Sequence, residues 1–253
     1  MTRIIMNGAN GHMGQVITDI VAGDEDCEIV AGIDPFTERK SSYPVFASFD
    51  QCDISADVII DFSNPKAVDS LLDYAVDKQT PVVLCTTGLS DEQIKQVEKA
   101  SEKVAILRSA NMSLGINTLF ELLDKATRVF ADAGFDVEIV EAHHNQKLDA
   151  PSGTAIALAD AVNDAADGRY TYIYDRHDRR EKRDAKEIGI SSIRGGNIVG
   201  EHEVIFAGQD EVITFKHQAT SKAVFARGAV EAAKFLKGKE AGMYDMREVI
   251  AAK

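Results

Sequence analysis

Short apolar runs alternate with amphipathic segments over the first 112 residues, and this alternation constrains the fold more than any other feature. Strands that alternate with helices must cross over one another, so they pair in parallel and helices cover both faces of the sheet. We therefore predict an α/β protein with a Rossmann-like, doubly wound parallel sheet, in which ligands bind beyond the carboxyl ends of the strands. The strand-like runs are residues 3–8, 28–33, 57–62, 81–85 and 104–107.

The pattern changes after Met112. A helix (115–131), a strand (136–142) and a second helix (152–165) precede three strand-like runs with no helix between them, at 189–193, 198–207 and 211–217. The short turns at 194–197 and 208–210 are typical of hairpins. We predict a second, α+β domain with a mainly antiparallel sheet. Its expected range is 113–218, after a dinucleotide-binding domain at 1–112, and the last segment, 219–253, is expected to pack back on the first domain.

A glycine-rich turn follows the first strand, in the sequence G-A-N-G-H-M-G with glycines at Gly8, Gly11 and Gly14. Such a turn lets backbone N–H groups approach a pyrophosphate at a helix N-terminus, and Asp34 ends the next strand, where a carboxylate accepts hydrogen bonds from ribose hydroxyls. These features predict a nicotinamide dinucleotide, with NADH used well and NADPH possible. Arg39 and Lys40 could reach a 2′-phosphate or could be solvated. The alternative is a structural turn without a ligand, and His12 is better explained as a solvent-facing residue.

Two further loops follow strand ends, at Thr86-Thr87-Gly88 and at 109–112. Because the carboxyl ends of parallel strands meet at one edge of a sheet, we expect both loops to converge on the crevice that contains Gly8 and Asp34. Taken alone, each loop is equally well explained as ordinary turn chemistry.

The segment at 141–155 reads E-A-H-H-N-Q-K-L-D-A-P-S-G-T-A and carries most of the functional information. His143 and His144 can exchange protons near neutral pH, Lys147 adds a cation, and the Ser-Gly-Thr turn presents N–H groups where a helix begins. This combination predicts a small anionic substrate that must receive a proton. Both histidines could instead be ordinary hydrogen-bonding groups. A metal site is not expected, because adjacent residues of an extended chain point to opposite faces and no third ligand lies at a familiar spacing.

Charge and cysteine content exclude several other classes of function. A net charge of −13 argues against nucleic acid as a partner, and no apolar run approaches the ~18 residues of a membrane span. The mixed charges at 175–187, six basic and five acidic, predict a solvated segment. Three widely spaced cysteines and an N-terminus without a signal-peptide core lead us to expect a cytoplasmic protein.

With both halves considered, the chain resembles the 4-hydroxy-tetrahydrodipicolinate reductase family, also called dihydrodipicolinate reductase, of the diaminopimelate route to lysine. The resemblance runs through nearly the whole chain. It is carried by the glycine turn, T-T-G at 86–88, S-A-N-M-S at 109–113, the histidine-lysine motif at 141–155, I-R-G-G-x-I-V-G-E-H at 193–202 and G-K-E-A-G-M-Y-D-M-R at 238–247.

The resemblance implies roles for individual residues. It places the proton donor on His143, a second acid or substrate-activating cation on Lys147, and substrate contacts on His144, Gly153 and Thr154. Cofactor contacts are implied at Gly8, Ala9, Asn10, Gly11, His12, Met13, Asp34, Cys85, Thr86, Thr87, Ser109, Ala110, Asn111 and Met112. In two places the sequence departs from the family: Cys85 replaces a common glycine, and Pro35 stands where some members have an arginine that grips the NADPH phosphate.

The reaction implied is reduction of a cyclic, unsaturated imine dicarboxylate by a nicotinamide, and the implied assembly is a homotetramer formed through the second domain. Two alternatives remain. A nicotinamide-binding sensor would need neither His143 nor Lys147. Another two-domain reductase is also conceivable, but one acting on aspartate semialdehyde would require a nucleophilic cysteine in the second domain, and no cysteine follows Cys85. A reductase acting on an amino acid would not explain the histidine-lysine motif.

Overall fold

The structure, a computed structural model, describes residues 1–38 and 41–253; Arg39 and Lys40, the residues considered for a 2′-phosphate, lie outside the described residues. The strands, in chain order, are β1 (Thr2–Asn7), β2 (Cys27–Ile33), β3 (Val45–Phe46), β4 (Val58–Asp61), β5 (Val82–Leu84), β6 (Ala105–Leu107), β7 (Asp136–His143), β8 (Thr171–Ile173), β9 (Glu187–Arg194), β10 (Gly200–Ala207), β11 (Val212–Ala219) and β12 (Gly242–Tyr244). The helices are α1 (His12–Ala22), α2 (Pro65–Lys78), α3 (Asp91–Ser101), α4 (Leu114–Phe130), α5 (Gly153–Ala165), α6 (Ala223–Leu236) and α7 (Met246–Ala251), with a 3-10 turn at Phe49–Gln51.

The chain divides into two units, one formed by Met1–Leu114 with Ala223–Lys253 and the other by Gly115–Lys222. The first unit contains a seven-stranded sheet in the order β12-β6-β5-β4-β1-β2-β3, and its paired strands run parallel. This confirms the Rossmann-like sheet. The edge strands β3 and β12 were not predicted, because runs of two and three residues give no periodic signal.

Helices cover both faces of this sheet because its strands are apolar on both sides. In β1, Ile4 and Met6 pack into the core with α1 and α6, whereas Ile5 packs on the opposite face with α2 and α3. Caps fix where the helices begin: the Asn64 side chain accepts a hydrogen bond from the Lys66 N–H at the start of α2, and Ser90 and Gln93 form a capping box on α3. Near-continuous apolar strands of this kind are typical of parallel sheets buried on two sides.

The second unit contains a five-stranded sheet in the order β11-β10-β7-β9-β8. The sheet is mixed: β10 pairs antiparallel with β7 and β11, whereas β9 pairs parallel with β7 and β8. The hairpin predicted at 208–210 is present between β10 and β11. The hairpin predicted at 194–197 was wrong, because β7 lies between β9 and β10 and the chain passes over its end.

Helices α4 and α5 cover one face of this second sheet, and the hydrophobic core lies between the helices and the sheet. Val137, Ile139, Val204 and Phe206 of the sheet pack there with the inward faces of the helices. Each of these strand residues is fully buried, so the alternation of β7 and β10 fixes which side chains face the helices.

The mixed-charge segment at 175–187 is not simply solvated. Arg176 forms two hydrogen bonds with Glu138 of β7, at 2.9 and 2.7 Å, and Arg179 forms two with Glu187 of β9, at 2.6 and 2.9 Å. Arg183 bonds both Glu138 and Asp136. The sequence showed balanced charge, but only the strand pairing brings those carboxylates together to bind the arginines.

Candidate active site

The glycine turn joins β1 to α1 in a conformation that requires glycine at two positions. Gly8 has a φ of +81°, and a Cβ there would lie 2.6 Å from the carbonyl oxygen of Phe62. A Cβ on Gly14 would overlap the carbonyl oxygen of Gly8. Side chains at these two positions would therefore force the turn away from β4 and from its own helix, and α1 would no longer begin at His12 with its N–H groups beside the turn.

Asp34 lies against this turn, at the end of β2. One carboxylate oxygen accepts a hydrogen bond from the Asn10 N–H at 2.9 Å, and the other accepts one from the Phe36 N–H at 2.9 Å. The Asn10 side chain in turn donates to the carbonyl oxygen of Phe36. Asn10 of the glycine turn thus binds both Asp34, the acid predicted to bind ribose, and the loop that follows it.

A cavity of about 800 Å³ opens at this edge of the sheet. Four of the residues predicted to bind the cofactor line this cavity: Gly8, Asn10, Gly11 and Asp34. Phe36, Phe62 and Ser63 also line it, and sequence reasoning missed them although all three lie within two residues of the strand-end acids Asp34 and Asp61. Asp34 and Glu38 are the charged side chains among its described lining residues.

The other predicted cofactor residues lie outside the lining of this cavity. Ala9 is fully buried in the core and Met13 packs against the same core, while His12 is exposed at the start of α1. Burial raises the pKa of the Cys85 thiol well above its usual value, and Thr87 is exposed. Of the segment 109–112, Ser109 and Asn111 are half-buried, Ala110 is exposed and Met112 is buried.

Thr86 is linked to the cavity through a buried carboxylate that the sequence did not single out. Asp61, the last residue of β4, accepts hydrogen bonds from the Asn7 side chain at 2.7 Å and from the Ser63 hydroxyl at 2.5 Å. The hydroxyls of Ser63 and Thr86 are 3.5 Å apart. Burial raises the pKa of Asp61, although these hydrogen bonds oppose it. The ends of β1, β4 and β5 are therefore joined by one polar network.

In the second unit, the histidine-lysine motif begins on β7 and continues in the loop that leads to α5. Glu141 and His143 alternate onto the same face of β7, and the carboxylate oxygen Oε2 of Glu141 is 2.6 Å from Nδ1 of His143. Arg194 of β9 donates to both oxygens of Glu141, at 2.8 and 2.7 Å. Glu141 is fully buried and His143 is 9% exposed, so this group of charges is largely removed from water.

Burial alone would raise the pKa of Glu141. Hydrogen bonds from Arg194, Ser192, His143 and the Ser152 N–H outweigh it and hold the pKa of this carboxyl at about 2. Glu141 is therefore a carboxylate at neutral pH. Sequence reasoning missed both Glu141 and Arg194 as site residues, although both lie in the motifs that carry the resemblance, and the i, i+2 spacing of Glu141 and His143 on a strand was an available signal.

A second histidine lies beside the first. His202 of β10 is 4% exposed, its ring stands edge-on to that of His143 with centroids 5.2 Å apart, and its Nε2 is 3.0 Å from the hydroxyl of Ser152. Burial, followed by the nearby charge of His143, lowers the pKa of His202 to about 4. His202 is therefore neutral near neutral pH. Its place on a separate strand explains why sequence spacing did not identify it.

Lys147 and the N-terminus of α5 converge on one carboxylate. The ammonium group of Lys147 lies 2.8 Å from Oδ1 of Asp149, and the pKa of Asp149 is lowered first by this hydrogen bond and also by the backbone of Gly153. Ser152 caps α5 by accepting a hydrogen bond from the Ala155 N–H at 3.1 Å. Lys147 and the N-terminus of α5, which are predicted to bind a substrate carboxylate, thus lie close enough to contact the same carboxylate.

The remaining predicted substrate residues lie in the same segment. Gly153 is exposed and has open space around its Cα, and Thr154 is half-buried in the first turn of α5. His144 is half-buried, and its carbonyl oxygen accepts a hydrogen bond from the Lys147 N–H at 3.2 Å. The structure therefore places His143, His144, Lys147, Gly153 and Thr154 around one strand end and one helix start.

Within residues 1–38 and 41–253, no three His, Cys, Asp or Glu side chains are grouped as metal ligands. None of the helices in this part of the chain is both long enough and apolar enough to cross a membrane.

Comparison with known proteins gives consistent matches along both units. The profile of the family described as dihydrodipicolinate reductase, N-terminus, matches residues 2–112, and that described as dihydrodipicolinate reductase, C-terminus, matches residues 115–250. Proteins named 4-hydroxy-tetrahydrodipicolinate reductase are 48% identical in Caldanaerobacter subterraneus subsp. tengcongensis, over 99% of this chain and 98% of that protein, and 47% identical in Clostridium novyi, over 100% of both.

A solved structure extends the match to three dimensions. The dipicolinate-bound dihydrodipicolinate reductase from Paenisporosarcina sp. TG-14 superimposes with a TM-score of 0.81 at 25% identity, over 98% of this chain and 99% of that one. Profiles that span both units, near-full-length relatives and a shared fold lead to one conclusion: the chain belongs to the dihydrodipicolinate reductase family.

Proposed function

We propose that this protein reduces 4-hydroxy-tetrahydrodipicolinate to tetrahydrodipicolinate with a nicotinamide dinucleotide, in the diaminopimelate route to lysine. Family membership and the name shared by its relatives support the reaction. The observation that carries the proposal at the level of residues is the convergence of Lys147 and the start of α5 on a carboxylate, next to the imidazole of His143.

Recognition of the substrate rests on charge. The substrate is a dicarboxylate, and the protein carries a net charge of −13, so binding needs a local cation. Lys147 and the N–H groups at the start of α5 supply that charge and fixed donors. We propose that a substrate carboxylate takes the position on these groups that Asp149 holds in the structure, and that His144, Gly153 and Thr154 complete the contact.

Proton supply is the proposed role of His143. Loss of the 4-hydroxyl group with a ring C–H proton as water would leave the unsaturated ring; a reduced nicotinamide bound in the first unit would supply a hydride to that ring, and His143 the proton that completes the reduction. Over the reaction one hydride and one proton are taken up and one water is released. Hydride addition increases the electron density of the ring, so a cationic acid beside it lowers the barrier. We assign this role to His143, because burial holds the neighbouring His202 in its neutral form.

The cofactor is proposed to lie over the glycine turn, with its ribose at Asp34. A carboxylate at this position favours NADH and repels a 2′-phosphate. The charged side chains among the described lining residues, Asp34 and Glu38, are both acidic, which supports NADH as the better substrate. Ser109, Asn111, Cys85 and Thr86 are proposed to contact the nicotinamide half, since they follow the neighbouring strands β6 and β5.

The test is a coupled assay in which the preceding enzyme of the route generates the substrate, and NADH and NADPH are each followed by loss of absorbance. We expect substrate-dependent oxidation of both nucleotides, with a higher kcat/KM for NADH. Binding of NADH without turnover would instead indicate the nicotinamide-binding sensor. Activity with NADPH alone would contradict the assignment of Asp34.

We also propose a homotetramer formed through the second unit. The face of its sheet opposite to α4 and α5 leaves Ile193 52% and Val212 63% exposed, and Lys216 there pairs with Glu201 and Glu203. Light scattering should give four times the mass of one chain, and a monomer would rule the proposal out.

A further inference from the structure

A buried ion pair of Glu141 and Arg194 lies beside His143, the proposed acid. The proposed reaction assigns no role to this pair. Arg194 grips Glu141 with two hydrogen bonds and also donates to the carbonyl oxygens of Ile193 and Asp149, at 2.7 Å each. Two-pronged arginine–carboxylate pairs of this kind are strong and fix geometry. Removing a carboxylate from water costs free energy, so a fully buried carboxylate requires a functional or structural reason.

The pair has a direct consequence for the imidazole of His143. The anionic oxygen Oε2 of Glu141 can only accept a hydrogen bond, so Nδ1 of His143, 2.6 Å away, must carry a proton. Nε2 is then the nitrogen that gains and loses a proton. On that side, a Cβ at residue 200 would lie 3.1 Å from Nε2, so Gly200 keeps the space beside the reactive nitrogen clear.

We propose that Glu141 is a positioning residue for proton transfer: clamped by Arg194, its carboxylate holds His143 with the proton on Nδ1 and stabilises the imidazolium, so that Nε2 donates to the substrate. This rests on the proposed role of His143. Glu141 touches neither substrate nor cofactor in this arrangement. It acts through the imidazole, as the buried carboxylate of a serine-protease triad does in an unrelated fold.

Three charged or titratable side chains lie against His143 or its carboxylate partner: Glu141 on β7, Arg194 on β9 and His202 on β10. Lys147, which is paired with Asp149, and His217 of β11 act on His202 in turn. Among these groups Glu141 is the anion within hydrogen-bond distance of the His143 ring, so its removal deprives an imidazolium of its counter-charge. The imidazolium form should then become less stable.

The test replaces Glu141 with Gln, which keeps the shape and removes the charge. We expect kcat to fall about 10- to 100-fold with KM little changed, as is usual for groups that orient a reacting side chain. The falling high-pH limb of kcat/KM should move to lower pH, because the acid loses its anionic partner. In 15N-labelled protein, His143 should change from a single Nδ1-protonated form to a mixture of tautomers.

The matched control is Glu138→Gln. Glu138 lies on the same strand and forms the same two-pronged pair, with Arg176, but does not contact His143. This variant should keep the wild-type kcat and pH profile. If Glu141→Gln is unstable, Arg194→Lys retains the cation but loses the fork, and it should show a smaller change in the same direction.

Two outcomes separate this inference from the proposed function. In the background of His143→Gln, adding Glu141→Gln should cause no further loss, whereas a general structural role would reduce both backgrounds equally. The role of Glu141 would be overturned if His143→Gln were inactive while Glu141→Gln kept the wild-type kcat, pH profile and His143 tautomer. A fully active His143→Gln would refute the acid itself, and the 15N spectrum would still report whether Glu141 sets the tautomer.

Discussion

At the scale of single residues, His143 depends on its position as the last residue of β7. The alternation of the strand turns its ring to the same face as Glu141, while the chain beyond it is free to form the loop that carries Lys147. The Gly195 N–H donates to the carbonyl oxygen of His143 at 3.0 Å, which ties this strand end to the turn after β9. The ring is therefore fixed both by its partner and by its backbone.

Replacing His143 with Gln should remove the proton donor while keeping a polar side chain. We expect kcat to fall by about 100- to 10,000-fold, the usual contribution of a general acid, with a much smaller change in KM. Steady-state kinetics with NADH measure this. His177→Gln, at an exposed histidine, is the control and should match the wild type. Turnover within a few-fold of wild type in His143→Gln would show that another group donates the proton.

Lys147 is expected to act earlier, in binding. Lys147→Ala removes the cation proposed to hold a substrate carboxylate, so KM should rise and kcat should fall because the ring is no longer held beside the acid. The comparison is Lys125→Ala, an exposed lysine on α4. Unchanged substrate affinity in Lys147→Ala, measured by titration with dipicolinate as a dicarboxylate probe, would contradict this role.

At the scale of elements, β7 is decisive because it pairs with β9 on one side and β10 on the other. The parallel register places His143 opposite Arg194 and Glu141 opposite Ser192, and the antiparallel register places Glu141 opposite His202. Three strands from distant parts of the sequence therefore deliver the carboxylate, the arginine and the second histidine to one place.

Helix α6 makes an equally specific contact in the first unit. A Cβ on Gly228 would overlap the carbonyl oxygen of Met112, so the helix touches the backbone of the segment proposed to bind nicotinamide. Gly228→Ala should destabilise the protein by about 1–3 kcal/mol, as overpacking does, and should weaken NADH binding by displacing residues 109–112.

Thermal melting and NADH titration measure the two effects. Gly23→Ala provides the control, because a Cβ there meets its nearest neighbour at an ordinary 3.7 Å. If Gly228→Ala melted like the wild type and bound NADH equally well, the close approach of α6 would have no functional consequence.

At the scale of the whole molecule, two buried groups make stability depend on pH. Burial lowers the pKa of His202 from 6.5 to about 4, so the unfolded chain binds this proton more readily than the folded one, and stability falls as pH drops from about 6.5 to 4. The pKa of Glu141 is held at about 2 against a usual 4.5, so its contribution is present above about pH 4.5 and is lost as pH falls toward 2.

Urea unfolding across this range should therefore show a midpoint that declines in two stages below neutral pH. His202→Asn removes the first titration, and we expect its midpoint to vary less between pH 6.5 and 4 than that of the wild type. Parallel curves for the two proteins over that interval would mean that His202 is not the group responsible.

The sequence by itself determined the longer strands and helices and indicated the candidate site residues. The strand–helix alternation, the glycine turn with Asp34 and the histidine-lysine motif are local patterns, and backbone sterics and side-chain periodicity suffice to interpret them. The same patterns carried the family resemblance, which profiles over both units confirmed. The observed α5, Gly153–Ala165, differs from the predicted range 152–165 by one residue, because Ser152 is the N-cap and not the first helical residue.

Only the tertiary structure decided which distant residues meet. The insertion of β7 between β9 and β10, the clamp of Arg194 on Glu141 and the binding of the arginines at 176–183 to Glu138 and Glu187 all depend on strand order and register. A local pattern contains no information about these pairings, because an ion pair or a strand neighbour is chosen by the packing of the whole sheet. For that reason the sequence pointed to His143 as the proposed acid, while the pairing of Arg194 with Glu141 behind it appeared only in the folded chain.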